Sequence, residues 1–390
     1  MARSFARVAV IAGVGETGFR RTPGGPGDLA LALDASHRAL RDAGLGAADI
    51  DGLMPPYMGA TAEEFISNLG LRNVAHVAQV NMGGASPAAA VGQAAAAIAA
   101  GAATCVLVPV GWAGYSGRRA RALAGFDAST PYRRAIRDIY GVHGINAPSQ
   151  VYALIARRHM EEFGTTSHDL GAVAVSTRQH ARSNPIALMR EPLTLEQHQA
   201  SRWIVEPYRL LDCCLETDGG AAVVVVAADD PRCHDAAVFI AGAAAARASE
   251  PLEMFNRSDF FETGLTAAAP AAFAMAGLGP GEMDMAQIYD CFTFEVIQQL
   301  EEAGFCARGE GGRFVSGGAT RPGGPLPVNT HGGLLSQGHS LGLGHVIEAV
   351  QQLRGRAGAG QVPGARTAFV SGWGDLADGS ALVLERRGSR

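Results

Sequence analysis

The chain has 390 residues, of which 47% are hydrophobic, and its formal net charge is −5 at pH 7. A chain of this size can bury a large core in one or two domains. The slightly negative charge and the lack of a long basic run argue against nucleic acid as a partner. Six cysteines without a CxxC pair predict reduced thiols, and we expect no metal site.

The first elements predict an α/β protein. The apolar run 8–12 is typical of a buried strand, and the pattern at 28–42 is typical of a helix. Between them, the GVGETG motif at 13–18 matches the dinucleotide-binding fingerprint. That fingerprint needs a helix that starts at its glycines, whereas Pro23 and Pro26 indicate a loop. We therefore predict no nicotinamide or flavin site.

Residues 77–117 carry no charged side chain. Pro87, Gln93 and the predominance of alanine argue against a transmembrane helix and favour a helix that is buried on all sides. The non-alternating run 104–110 then predicts a buried parallel strand. Three shorter elements precede this stretch: a strand at 50–54, a helix at 62–69 and a strand at 75–79. With no signal peptide or membrane span in the pattern, we expect a cytoplasmic protein without membrane contact.

The composition changes after Trp112. Residues 115–142 are polar and rich in arginine, and they predict the start of an inserted loop domain, at about 113–206, that lies over the site. Its arginines form either a solvated surface or a recognition site for phosphate groups on a ligand. These arginines are Arg118, Arg119, Arg121, Arg133, Arg134 and Arg137.

The rest of this insertion predicts helices and a return to the first sheet. One helix is expected at 149–163 and a helix pair at 166–184, closed by Asn184-Pro185. Asp218-Gly219 predicts a turn, and the apolar run 221–227 predicts an antiparallel strand that rejoins the first sheet.

Three sequence blocks occur twice in the same order, which predicts a duplicated α/β unit. VAVIAG at 8–13 resembles AVFIAG at 237–242, and AGLG at 43–46 recurs at 276–279. The third block is a glycine-containing turn, a buried helix and a strand that ends in Gly-Trp, once at Trp112 and once at Trp373. We therefore predict an N-terminal half, residues 1–232, and a C-terminal half, residues 233–390.

With this duplication and these glycine patterns, the chain resembles the thiolase superfamily over essentially its whole length. It is most similar to the sterol-carrier-protein-type and lipid-transfer-type thiolase-like branch. The resemblance rests on four motifs: NMGGAS at 81–86, LDCC at 211–214 with Asp218-Gly219, YDCF at 289–292, and residues 329–345 with GHS at 338–340. It implies a five-layer α/β/α/β/α sandwich that is normally dimeric and acts on coenzyme A thioesters.

Both catalytic cysteines of true thiolases are missing. The first stands at the N-terminus of the buried helix, where the helix dipole favours a thiolate, and its position here is Gly84. The second matches Val370. Neither residue can hold an acyl group, so covalent acyl transfer lacks its nucleophile.

Two further catalytic positions of the family are occupied by Tyr289 and His339. A branch without the cysteines resembles aldolases that cleave a β-hydroxyacyl-CoA, and it carries tyrosine in the third motif. That branch tends to show a second tyrosine where this chain keeps His339. Retro-aldol cleavage needs a base for the β-hydroxyl proton and a donor for the enolate oxygen. Tyr289 could be the base if its pKa is lowered, and His339 could be the donor.

The remaining candidates surround this pair. His331 is assigned to the catalytic group, although it and His345 could also be packing residues. Within the substrate-binding set, Cys291 has an alternative interpretation as a core residue, and Ser86 as a helix cap. That set consists of Asn81, Gly84, Ser86, Cys291, Asn329, Gly332 and Gly333.

The function predicted first is cleavage or formation of a carbon–carbon bond beside a coenzyme A thioester, without a covalent intermediate. One alternative is ordinary thiolase or acyltransferase activity with another thiol, and a second is a non-catalytic acyl-CoA or lipid-binding subunit. We expect coenzyme A only as part of the substrate. From the family resemblance we expect a homodimer and a small zinc-ribbon and OB-fold partner subunit.

Overall fold

The computed structural model describes residues 5–117, 136–145, 147–233, 236–251, 253–374 and 377–388. Of the arginines predicted to open the inserted domain, only Arg137 lies within the described residues.

The described residues form ten α-helices and eleven strands. The helices are α1 (Asp28–Ala43), α2 (Ala62–Leu69), α3 (Ser86–Ala99), α4 (Pro148–Phe163), α5 (Ser167–Ala181), α6 (Leu195–Ala200), α7 (Leu265–Ala276), α8 (Thr293–Glu302), α9 (Gly311–Ser316) and α10 (Leu343–Leu353). The strands are β1 (Ala9–Glu16), β2 (Gly52–Leu53), β3 (His76–Val77), β4 (Cys105–Ala113), β5 (Trp203–Val205), β6 (Tyr208–Arg209), β7 (Asp218–Ala227), β8 (Val238–Arg247), β9 (Met285–Ile288), β10 (Thr367–Gly374) and β11 (Asp378–Arg386).

In the described part of the chain, nine strands pair in the order β3-β2-β4-β7-β1-β8-β11-β10-β9. Outward from the β1–β8 junction, one half runs β1-β7-β4-β2 and the other runs β8-β11-β10-β9. The pairing directions also correspond: in each half the first two pairs are antiparallel and the last is parallel. The predicted duplication is thus confirmed as two copies of one half-sheet.

The helices complete five layers. Helix α1 packs against β1, β4 and β7, and α7 packs against β8 and β11, so these two helices cover the outer faces. Helices α3 and α10 contact strands of both halves and lie between them. The observed order is therefore helix, half-sheet, helices, half-sheet, helix.

The repeated Ala-Gly sequence has a packing explanation. A Cβ at Gly13 would lie 2.2 Å from the Ala39 carbonyl oxygen, and a Cβ at Gly242 would lie 2.0 Å from that of Ala272. Each glycine therefore allows the outer helix of its half to approach the strand closely. The dinucleotide-like motif at 13–18 lies largely in β1, and no described helix begins before Asp28.

Helix α3 explains the uncharged central stretch. Eleven of its fourteen residues are buried, because strands of both half-sheets pack around it. Alanine permits this close packing on every side of a helix. No helix among the described residues is long and apolar enough to cross a membrane.

The segment between β4 and β7 differs in detail from the prediction. Residues 166–184 contain one helix, α5, and not the predicted helix pair. Thr166 and Asp169 cap its start reciprocally, and the helix continues without a break to Ala181. Asp218-Gly219 is not a turn but the start of β7. The reason is that β4 continues to Ala113 and pairs with these residues. Helix α5 packs against α8, α9 and the π-helical turn Gly333–Gln337.

Candidate active site

The turn before α3 and the end of β9 meet at Gly84. A Cβ at Gly84 would lie 2.3 Å from Cζ and 2.5 Å from the hydroxyl oxygen of Tyr289. It would also lie 2.4 Å from the carbonyl oxygen of Trp373. The phenol of Tyr289 therefore occupies the space that any side chain at position 84 would need.

Tyr289 is almost completely buried. Burial raises its pKa well above the ordinary value of a tyrosine, and the nearby Cys291 and Cys214 act in the same direction. Tyr289 was expected to act as a base only if its pKa is lowered, and its pKa is raised instead. The expectation of a lowered pKa is therefore wrong. At neutral pH Tyr289 is a phenol rather than a phenolate.

Asp290, the next residue, holds the π-helical turn Gly333–Gln337 in place. Its Oδ1 accepts hydrogen bonds from the backbone N–H of Leu334 at 2.8 Å and from Nε2 of His345 at 3.0 Å, and its Oδ2 accepts from the backbone N–H of Leu335 at 3.3 Å. A Cβ at Gly333 would lie 2.0 Å from Oδ2, and the φ of Gly333 is +57°. Glycine at position 333 therefore leaves room for this carboxylate to lie against the backbone.

His339 presents one nitrogen as a donor. Its Nδ1 accepts the backbone N–H of Leu341 at 3.3 Å, so the proton of the neutral ring is on Nε2. The ring lies 5.0 Å from that of Trp112. Burial, with a contribution from His345, lowers the pKa of His339 to about 4. At neutral pH the ring is therefore uncharged.

His345 is buried near Tyr289, and His331 is buried against His345. The rings of His331 and His345 meet edge to face with centroids 4.8 Å apart, and the ring of His345 lies 6.2 Å from that of Tyr289. Burial lowers the pKa of His331 well below the usual range, and His345 adds to this. The Nδ1 atoms of both rings are buried and have no hydrogen-bond partner.

Asn329 and Gly332 shape the backbone of this region. Asn329 accepts the backbone N–H of Ile288 at 2.7 Å with Oδ1 and donates Nδ2–H to its carbonyl at 2.8 Å. Its side chain therefore holds the strand end that carries Tyr289. Gly332 has a φ of +104°, and a Cβ there would lie 2.6 Å from Cβ of Ala181 in the insertion.

The remaining predicted residues flank the turn before α3 or follow β9. Ser86 does not cap α3: its Oγ accepts the backbone N–H of Met82 at 2.8 Å and so closes the preceding turn. Asn81 is exposed, and its carbonyl accepts Nη2–H of Arg247 at 2.7 Å. Cys291 is buried, and its carbonyl accepts the backbone N–H of Cys214 at 2.9 Å.

Comparisons with known proteins identify the family. A family model described as thiolase C-terminal domain-like matches residues 246–386. The chain is 40% identical over 357 residues to the steroid side-chain-cleaving aldolase of Thermomonospora curvata, with 89% of this chain and 90% of that protein covered. It is 37% identical over 367 residues to the 17-hydroxy-3-oxo-4-pregnene-20-carboxyl-CoA lyase of Mycobacterium tuberculosis, with 89% and 92% covered. The solved structure named Ltp2-ChsH2(DUF35) aldolase matches with a TM-score of 0.92 at 36% identity, and the match covers 100% of both chains. The chain belongs to the thiolase superfamily.

In this thiolase-superfamily chain, the two thiols that act on Tyr289, Cys214 and Cys291, do not replace the missing cysteines. Val370 is fully buried in β10. Burial, followed by the influence of Glu295, raises the pKa of Cys291 well above that of an ordinary thiol. Burial also raises the pKa of Cys214 to about 12. Both sulfurs are therefore protonated and weakly nucleophilic at neutral pH.

The sequence motifs alone did not indicate the contact between Asp290 and His345. Asp290 lies next to the predicted Tyr289, and His345 is inside the predicted motif 329–345, but nothing in their spacing shows that they touch. Among the described residues, no group of three His, Cys, Asp or Glu side chains is arranged to hold a metal ion.

A buried acid beside this region predicts a pH-dependent stability. Glu295 in α8 accepts the hydroxyl of Tyr208 with both carboxylate oxygens, at 2.9 and 3.2 Å, and burial raises its pKa from 4.5 to about 8. The folded protein therefore binds this proton more tightly than the unfolded chain does. The resulting stability is complete below about pH 4.5 and is lost as the pH rises through about 8.

Replacing Glu295 by Gln should remove this loss. We expect the unfolding free energy of Glu295→Gln to fall less steeply between pH 5 and 8, by about 1.4 kcal/mol per pH unit at most. Urea denaturation at several pH values measures the slope, and the exposed Glu63, as Glu63→Gln, is the control. Equal slopes in wild type and Glu295→Gln would contradict the assignment.

Proposed function

We propose that this chain cleaves the bond between the α and β carbons of a β-hydroxyacyl-CoA by retro-aldol chemistry. The observation that carries the proposal is that Tyr289 fills the space beside Gly84, where a side chain would lie 2.3 Å from its Cζ. Position 84 offers no side-chain atom for a covalent acyl-enzyme, whereas a retro-aldol reaction needs only proton transfer and a donor for the enolate. The relatives named as an aldolase and a CoA lyase support the same class of reaction.

In this reaction Tyr289 takes the proton of the β-hydroxyl group. The Cα–Cβ bond then breaks, and the β carbon becomes a carbonyl carbon. The electron pair of the broken bond passes to the α carbon and the thioester oxygen, which form an enolate. His339 donates Nε2–H to that oxygen, since its Nδ1 is occupied by Leu341. Protonation of the α carbon completes the acyl-CoA product, and no net proton is consumed.

The raised pKa of Tyr289 determines how it can act. A buried phenol accepts the substrate proton only if its own proton leaves in the same step. Tyr289 therefore relays the proton: its oxygen takes the β-hydroxyl proton as the phenolic proton passes to a neighbouring acceptor, which later returns it for protonation of the α carbon.

The test is carbon–carbon cleavage with and without free coenzyme A. The probes are 17-hydroxy-3-oxo-4-pregnene-20-carboxyl-CoA, which carries a β-hydroxyl, and acetoacetyl-CoA, a β-ketoacyl thioester. We expect a carbonyl product from the first probe without added coenzyme A and no thiolysis of the second. A strict requirement for coenzyme A, or no cleavage by the chain together with its partner, would overturn the proposal.

A cysteine variant separates this proposal from thiolase activity. Cys291→Ala should lower kcat by less than about tenfold, because its thiol is protonated and forms no covalent bond with the substrate. Loss of a true nucleophile would instead lower kcat by several orders of magnitude. Steady-state kinetics with the β-hydroxyacyl probe distinguish the two outcomes.

We also propose that the chain works in the cytoplasm as a homodimer with a small zinc-ribbon and OB-fold subunit. The similarity to the chain of the Ltp2-ChsH2(DUF35) aldolase structure supports a second kind of subunit. Co-expression followed by size-exclusion chromatography with light scattering should give a complex larger than the dimer alone. Equal activity of the chain with and without the partner would contradict a need for that subunit.

A further inference from the structure

His345 has one nitrogen engaged and the other without a partner. Its Nε2 lies 3.0 Å from Oδ1 of Asp290, and Asp290 also accepts two backbone N–H groups. An acid whose oxygens accept three donors is satisfied as a carboxylate, so Nε2 of His345 carries the proton. The lone pair of His345 is therefore on Nδ1, which is buried and accepts nothing.

A buried acceptor without a donor is costly, and such atoms concentrate at functional sites. His345 lies in the first turn of α10 and is completely shielded from solvent. Its ring is 6.2 Å from the ring of Tyr289. The ring that carries the orphan lone pair is thus a neighbour of the ring that must lose a proton in the proposed function.

Four ionisable side chains surround His345. Asp290 faces it from the end of β9, and Glu348 lies one turn further along α10, where burial raises its pKa. His331 and His339 face it from the preceding loop, and both are uncharged at neutral pH. A proton on His345 would therefore meet the Asp290 carboxylate and no neighbouring histidine charge.

We propose that Asp290 and His345 form a dyad that accepts the proton of Tyr289 during carbon–carbon cleavage. The proposal rests on the proposed function. As the β-hydroxyl proton passes to the Tyr289 oxygen, the phenolic proton passes to Nδ1 of His345, and Asp290 stabilises the imidazolium. After cleavage the proton returns through Tyr289 to the α carbon of the enolate. His345 is a positioning residue, because it acts through Tyr289 and not on the substrate.

The kinetic test compares His345→Gln and Asp290→Asn with a matched control. His345→Gln should lower kcat by about 10² to 10⁴-fold with KM changed less than about threefold. It should also remove the acidic limb of the kcat–pH profile, and Asp290→Asn should lower kcat at least tenfold. A merely structural role would leave the shape of the pH profile unchanged.

The control is His159→Gln. His159 forms a comparable buried pair, with its Nε2 3.0 Å from Glu301, but its Nδ1 is also occupied, at 2.9 Å from Thr165. We expect this variant to lose stability and to keep the wild-type pH profile. A His345→Gln enzyme with kcat within threefold of wild type, or with an unchanged acidic limb, would overturn the proposal.

A second measurement is independent of turnover. In protein labelled with ¹⁵N-histidine, the ring NMR signals that disappear in His345→Gln should show an unprotonated Nδ1 and a protonated Nε2 at pH 7, and these signals should move in Asp290→Asn. A proton on Nδ1 of that ring would overturn the dyad even in an active enzyme. If wild-type protein cleaves neither probe, the proposed function fails and the relay fails with it. The tautomer then still shows whether the dyad itself was correctly assigned.

Discussion

Tyr289→Phe is expected to lower kcat for carbon–carbon cleavage by about 10³-fold or more and to leave the fold intact. The substitution removes only the hydroxyl, so the ring still fills the space beside Gly84 and contacts Gly342. Thermal unfolding should occur within a few degrees of wild type. Single-turnover kinetics with the β-hydroxyacyl probe measure the chemical step directly.

Tyr140→Phe is the matched control for this experiment. Tyr140 is also completely buried, and its hydroxyl accepts the backbone N–H of Met254 at 3.2 Å. Its loss should cost about 1 kcal/mol of stability without lowering kcat. Retained cleavage by Tyr289→Phe would remove Tyr289 from the reaction, whatever the control shows.

Gly84→Ala is expected to abolish cleavage and to destabilise the protein by about 1–3 kcal/mol. The added methyl group would lie within 2.5 Å of both Tyr289 and the Trp373 carbonyl, and the carbonyl belongs to a strand that cannot easily move. The phenol must therefore leave its position for the methyl group to fit. Chemical denaturation and the cleavage assay measure the two effects.

Gly281→Ala tests whether the effect is specific to this site. A Cβ at Gly281 would have no heavy atom within 4 Å, so this variant should keep wild-type stability and activity. Combining Gly84→Ala with Tyr289→Leu should recover part of the lost stability but no activity. A fully active Gly84→Ala enzyme would show that position 84 has room for a side chain, and it would remove the main support for the non-covalent mechanism.

The duplicated fold could be predicted because it depends on local sequence. Close helix–strand packing requires a glycine at the same point of both halves, at Gly13 and Gly242, and the block around each therefore repeats visibly. The buried central helix was also predictable, since an uncharged alanine-rich run that is interrupted by proline and glutamine is most stable when it is buried on all sides. The predicted turn at Asp218-Gly219 was wrong because the pairing with β4 overrides the local turn preference.

The motifs placed Gly84, Tyr289 and His339 in one site, and the structure brings Tyr289 against Gly84. Asn329 was predicted to bind substrate, whereas its amide is engaged on both sides by Ile288. That contact joins residues 41 positions apart, and no local pattern indicates it.

The sequence by itself determined the family, the duplicated architecture and the absence of both catalytic cysteines, because these follow from which residue stands at each position. Only the tertiary structure decided that Tyr289 is a phenol, that Asp290 holds His345, and that Nδ1 of His345 has no partner. Proton affinity depends on burial and on neighbouring charges. Those neighbours come from distant parts of the chain and meet only when it folds.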